Sequence, residues 1–144
     1  MKLFTRHDRI GVVLDTNIII SALIAKEGAS AKVFEMLILG EIENYTSSEI
    51  ISELKEVLER REITKRTTSK ARQFIFKHYL NNSIQIAPKM KVHVVEHESD
   101  NKFIEVCLEA KAEYVITGDS HLIDLKEFKG IRIIRAKDFL EKII

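Results

Sequence analysis

Four acidic residues of this 144-residue chain stand where backbone elements should begin or end. Asp15 closes the apolar run VVLD, and Asp119 follows YVITG. Asp100 opens DNKFIEVCLEA, and Glu53 lies near the start of EIISELKEVLER, on its polar side. Taken singly, Asp15 and Asp119 read as turn residues, Asp100 as a helix N-cap and Glu53 as a solvated helix acid. Gathered at one point, they would form an all-oxygen donor set suited to a hard divalent cation such as Mg²⁺ or Mn²⁺. Such an ion activates water and stabilises the charge that develops on the leaving oxygen of a phosphodiester. Without a cation the same acids repel one another, which raises their pKa values.

The elements that would have to gather them can be read in outline. Gly11 precedes a β-branched strand that ends at Asp15. Ser30 is positioned to cap AKVFEMLIL, with Gly40 at its C-cap, and residues 42–46 form a short strand. Ser47 or Ser48 starts a helix whose buried stripe is Ile50, Ile51, Leu54, Val57 and Leu58. A second helix is expected from about Thr68 to Leu80, and KVHVV after Pro88 is a candidate strand. A helix from Asp100 to about Ala110, the strand YVIT, a Gly118–Asp119 turn, the strand IRII and the helix AKDFLEKI complete the chain. Strands that alternate with helices, without an Asn-Gly hairpin signal, imply an α/β fold with a mostly parallel sheet covered on both faces. Ligands of such sheets bind at the carboxyl ends of the strands, so Asp15, Asp100 and Asp119 should converge there. Glu53 would reach the same edge from its helix.

Length and 45% hydrophobic content suit one domain spanning residues 1–144, with a core that needs no disulfide. Cys107 is the sole cysteine, among apolar neighbours, which excludes a disulfide framework or a zinc-finger-like cluster. No apolar run approaches the roughly 20 residues of a membrane span, and MKLFTRHDRI lacks the hydrophobic stretch of a signal peptide. A cytoplasmic protein without a membrane role is therefore expected. The net charge of +1 conceals a division: residues 60–91 carry nine Lys or Arg against one acid, and residues 92–127 carry nine acids against three Lys. That pattern suits a protein holding cations at one place and a polyanion beside it, although two solvated helix faces would look the same.

The segments VVLDTNIIISAL, TSSEIISELKEVL, SDNKFIEVCLEAKAEYVITGDSHLIDL and IRIIRAKDFL resemble, in order and spacing, the PIN domain. The likeness runs from about Ile10 to Leu140 and is nearest to PIN-family toxins of toxin-antitoxin systems. It implies a three-layer α/β/α sandwich with about five strands, and Mg²⁺- or Mn²⁺-dependent endoribonuclease activity. It carries the catalytic and metal-binding acids onto Asp15, Glu53, Asp100 and Asp119. Asn17 and Thr117 would orient Asp15 or a metal-bound water. An antitoxin and a homodimer are the partners such toxins usually have. Two departures stand out: His121 replaces a further aspartate, and HESD replaces a DPDD-like run, keeping only Asp100. Fewer carboxylates favour one metal over two. His121 reads either as a ligand or acid/base residue or as a surface turn histidine.

Arg60, Arg61, Lys65, Arg66, Lys70 and Arg72 are candidates for holding RNA phosphates. Phe74, Phe76 and Tyr79, interleaved with them, read mainly as helix core. The alternative to a nuclease is a non-catalytic PIN-like module that binds RNA or protein. A receiver-like domain is disfavoured because VVLDTN supplies one acid and IRIIRA an arginine where that class needs an acidic pair and a lysine. No G-x-G-x-x-G follows the first strand, so a dinucleotide enzyme is weaker still.

Overall fold

The structure is a computed structural model that describes residues 9–143; the amino-terminal stretch considered for a signal peptide lies almost wholly outside them. Strand β1 (Ile10–Leu14) is the hydrophobic centre, with Val12, Val13 and Leu14 fully buried. Both of its faces are covered, which is why the run is continuously apolar rather than alternating. Asp15 then caps helix α1 (Thr16–Ile24) by accepting a hydrogen bond from the Asn17 amide at 3.2 Å. This helix is not among those expected from the sequence, because NIIISALI is apolar on every side and shows no stripe.

Helix α2 (Ala29–Ile38) begins after Gly28 without a side-chain cap, so Ser30 lies inside the first turn and caps nothing. Gly40, at φ +75°, makes the left-handed exit expected of it. Strand β2 (Ile42–Thr46) follows, and then helix α3 (Ser48–Leu58), whose cap is Ser47, accepting from the Ile50 amide. Helices α4 (Arg61–Thr64) and α5 (Ser69–Asn81) complete the basic segment, with Thr68 capping α5. Strand β3 (Ser83–Gln85) comes next, then helix α6 (Asn101–Ala110), entered through a 3₁₀ turn over Glu98–Asp100. Strand β4 (Tyr114–Ile116), helix α7 (Ser120–Leu125), strands β5 (Glu127–Phe128) and β6 (Ile131–Ile134) and helix α8 (Ala136–Ile143) finish the fold.

The strands form one sheet in the order β3-β2-β1-β4-β6-β5, parallel throughout except for the short β5–β6 pair. The described residues thus hold six strands rather than about five. Ser83–Gln85 and Glu127–Phe128 are too short to show a period, and KVHVV is not a strand. Its backbone is satisfied by side chains of α6: Val92 N–H donates to Glu105, and Val94 and Val95 N–H donate to Asn101 Oδ1, each at 3.0 Å. Two carbonyl-bearing side chains thus replace a strand partner.

Two cores sandwich the sheet. On one face Val12 and Leu14 pack with Ile18 and Ile19 of α1, Phe34 and Leu37 of α2, Tyr79 of α5 and Phe139 of α8. On the other, Val13, Val115 and Ile133 pack with Phe103, Ile104, Val106 and Cys107 of α6 and Leu122 of α7. Helix α3 belongs to both: Ile50 enters the second core, and Leu54 and Leu58 enter the first. It therefore crosses the sheet edge, and this crossing carries Glu53 to the strand ends. Among the described residues no helix is long and apolar enough to cross a membrane.

Candidate active site

The chain builds β1, β2 and β3 outward in one direction, then returns to lay β4 on the other side of β1. The carboxyl ends of β1 and β4 therefore border the crevice where the winding reverses, the general ligand position of such sheets. Asp15 and Thr117 occupy it. Asp15 is 5% exposed, its N–H donates to the Ile116 carbonyl, and its Oδ2 accepts from the Thr117 hydroxyl at 2.6 Å and from the Asn17 amide group at 3.2 Å. Asn17 Oδ1 in turn accepts from the Gly118 N–H, tying α1 to the β4–α7 turn. Burial raises the Asp15 carboxyl to about 6 against the lowering effect of these hydrogen bonds, and the charges of Asp100 and Glu53 add to the rise. Asp15, Asp100 and Glu53 thus share one electrostatic neighbourhood.

Asp100 and Asp119 are within hydrogen-bonding reach of each other. Partial burial raises the Asp100 carboxyl above its ordinary value, and the Asp119 charge and hydrogen bond push it further, while Lys102 opposes them. Asp100 precedes α6 without capping it by its side chain. Asp119 does cap α7, through the His121 amide at 2.8 Å, and the Thr117 hydroxyl accepts from the Asp119 N–H at 3.0 Å. Arg135 donates to the Gly118 carbonyl at 3.0 Å and pins the turn from β6.

Glu53 is 30% exposed and pairs through Oε2 with Lys102 Nζ at 2.6 Å. Lys102, only 5% exposed, also donates to the Ser99 carbonyl. In the sequence it is one of three lysines in an acidic stretch and draws no notice. Its signal is its position: an isolated cation two residues beyond Asp100, in the first turn of a helix, where the dipole disfavours positive charge. His97 is likewise absent from the residues that the sequence singles out. Its ring stacks on that of His121, with centroids 4.6 Å apart and planes at 24°, and both side chains are exposed beside Asp100 and Asp119. Two of the positions that depart from the acidic pattern, His97 and His121, are therefore neighbours in space.

A hard cation suits this oxygen-only set, since two carboxyls that share a hydrogen bond beside a buried third need either protons or a cation. As the side chains stand, no three or more His, Cys, Asp or Glu among the described residues are arranged to hold a metal ion. Glu53 is engaged by Lys102 instead.

A groove of about 320 Å³ leads away from the acids between α1 and α3, lined by Asp15, Asn17, Ile20, Glu53, Val57 and Arg60. Of the six basic candidates only Arg60 borders it, and its guanidinium also pairs with Glu56 at 3.3 Å. Arg61, Lys65, Arg66 and Lys70 are exposed on α4, α5 and their junction, while Arg72 is half-buried and donates to Thr67. Tyr79 is core and Phe76 is partly buried against it, as expected. Phe74 is not core: it is 57% exposed and lies against His78.

A family model for the PIN domain matches residues 11–121. The chain belongs to the PIN-domain family. The chain is 37% identical over 143 residues to an uncharacterized protein of Methanocaldococcus jannaschii, covering 93% of this chain and 92% of that one. Among solved structures it is similar to VapBC2 from Rickettsia felis bound to a DNA fragment from their promoter, at TM-score 0.57 and 15% identity over 86% of this chain and 97% of that one. It is also similar to the PIN domain endonuclease Utp24, at TM-score 0.54 and 19% identity over 85% of this chain and 82% of that one. At those identities the two structures bear on the fold of the PIN domain alone.

Proposed function

We propose that this PIN domain is a divalent-metal-dependent endoribonuclease that hydrolyses RNA phosphodiester bonds, with Asp15, Glu53, Asp100 and Asp119 as its catalytic acids. The observation that carries this reading is the buried Asp15 at the reversal point of the sheet, its carboxyl pushed up to about 6 by burial and by the charges of Asp100 and Glu53, with Asp119 acting in turn on Asp100. Members of the family are nucleases, which sets the class of reaction. Asp15, Asp100 and Asp119 would hold Mg²⁺ or Mn²⁺, with Glu53 beside them, and the bound ion would supply the activated water and the charge stabilisation that phosphodiester hydrolysis needs.

The remaining work falls to the chain's own groups. Thr117 and Asn17 fix the Asp15 carboxylate by two hydrogen bonds to one oxygen, leaving Oδ1 turned toward the backbone amide of Asn17. Arg60 meets a phosphate of the strand in the groove, and Arg61, Lys65, Arg66, Lys70 and Arg72 extend the basic track beyond it. His121, with His97, edges the site as a polar wall. Nothing in these groups reads a base sequence.

The sequence resemblance to toxins and the likeness in fold to VapBC2 support a toxin role, with an antitoxin and a second copy of the chain as partners. The non-catalytic alternative draws on one observation, the Lys102–Glu53 pair, which already neutralises part of the acidic set. Titration of Mn²⁺ and Mg²⁺ into the purified protein, with labelled single-stranded RNA and a matched DNA, separates the two readings. Cleavage of the RNA should require the metal and fall steeply in Asp15→Asn and Asp100→Asn. A wild-type protein, free of bound inhibitor, that neither binds metal nor cuts either strand would establish the binding module instead.

A further inference from the structure

Lys102 is placed against two ordinary preferences of a lysine. It sits in the first turn of α6, at the end of the helix that repels cations, and it is withdrawn from water although a lysine stem is long enough to reach it. Burying an ammonium is costly unless opposite charge and hydrogen bonds surround it. Here Glu53 at 2.6 Å and the Ser99 carbonyl satisfy it directly, and Asp100 feels its charge. The ammonium therefore occupies a place inside the acidic cluster, on the side where α3 and α6 meet.

We propose that Lys102 is the resident counter-cation of this cluster: it holds Glu53 in place and supplies the positive charge a second divalent ion would bring, so that the site takes one metal ion only. This rests on the metal-dependent reading above and deepens it. A divalent ion bound through the Glu53 oxygen that Lys102 holds would sit against the ammonium, and repulsion at that range closes the position. Asp15, Asp100 and Asp119 keep their attraction for a cation. Lys102 is thus a positioning residue, acting through Glu53. A fixed charge here has a further consequence: it partly neutralises the cluster before any metal arrives, which limits the self-repulsion of four acids in the metal-free fold.

The test is the stoichiometry and affinity of Mn²⁺, read by electron paramagnetic resonance of free Mn²⁺ and by calorimetry without RNA, on wild type, Lys102→Met and Lys102→Arg. Wild type should bind one Mn²⁺. Lys102→Met should bind a second ion or bind the first about tenfold or more tightly, the scale on which a neighbouring charge acts at this distance. Its metal-free melting temperature should fall and be restored by Mn²⁺. Lys102→Arg should keep the wild-type stoichiometry. Lys102→Gln, which leaves a polar chain in the pocket, serves if the methionine variant does not fold. Two ions in wild type, or unchanged stoichiometry and affinity once the charge is removed, overturn the proposal while leaving the nuclease reading intact. A wild type that binds no Mn²⁺ overturns both.

Discussion

Thr117 is the residue that most tightly holds the Asp15 carboxyl. It is fully buried, donates to Asp15 at 2.6 Å and accepts from the Asp119 amide at 3.0 Å, so one hydroxyl joins two of the acids. Thr117→Val keeps the shape and removes both bonds. RNA cleavage at fixed Mn²⁺ should fall by roughly 10- to 100-fold, the range seen when a group that orients a metal ligand is lost. Steady-state kinetics with varied Mn²⁺ checks it, and unchanged kcat/KM would remove Thr117 from the site. Asp15 itself makes the metal-free protein sensitive to pH. Its folded carboxyl, at about 6, lies above the ordinary value of 3.8, so the native state holds a proton that the unfolded chain releases between those values. The stability associated with that proton is full below the unfolded value and is lost as pH rises through the folded one. The gap corresponds to roughly 3 kcal/mol. Thermal melts in EDTA should therefore show a higher Tm near pH 5 than near pH 7.5, with the difference reduced in Asp15→Asn. A Tm that rises steadily with pH in that window would contradict this account.

Between residue and fold, α6 and the segment before it form the element that most shapes the site. The backbone of residues 92–95 has no strand beside it, and Asn101, 3% exposed, accepts from both Val94 and Val95. Asn101→Ala leaves two amides without that acceptor, at a cost of about 1–3 kcal/mol for each that stays buried. Hydrogen exchange at Val94 and Val95 should accelerate well before exchange in β1 does, and Tm should drop. Equal protection in the variant would mean that the segment is held by something else. The approach to Asp100 runs through this segment, so its loosening should also weaken Mn²⁺ binding. Helix α3 makes the complementary contribution: its amphipathic stripe is split between the two cores, and that split sets Glu53 over the strand ends.

Across the whole molecule, the division of charge along the sequence becomes an acidic crevice from which a groove leads to Arg60, where the exposed cations of α4 and its flanks begin. Binding of RNA, measured by fluorescence anisotropy in Ca²⁺ to suppress cleavage, should weaken steeply with salt. A joint Lys65→Ala and Arg66→Ala change should reduce the slope of log K against log salt by about 0.7 for each phosphate no longer neutralised, with little effect on cleavage at saturating RNA. An unchanged slope would detach this surface from the substrate path. The class of fold and the candidate acids could be read from the order of residues alone. Apolar β-branched runs, caps and helical stripes are local properties, and DTN, the Glu53 helix, SDNKF and TGDSH are local signatures of a family. No such local reading could show that Lys102 turns inward to Glu53, that His97 stacks on His121, or that KVHVV trades a strand partner for Asn101 and Glu105. Each of these joins residues on different elements or inverts a local preference. They come from packing, because a buried charge, a ring or an unpaired amide takes whichever partner the sheet and helices bring within reach.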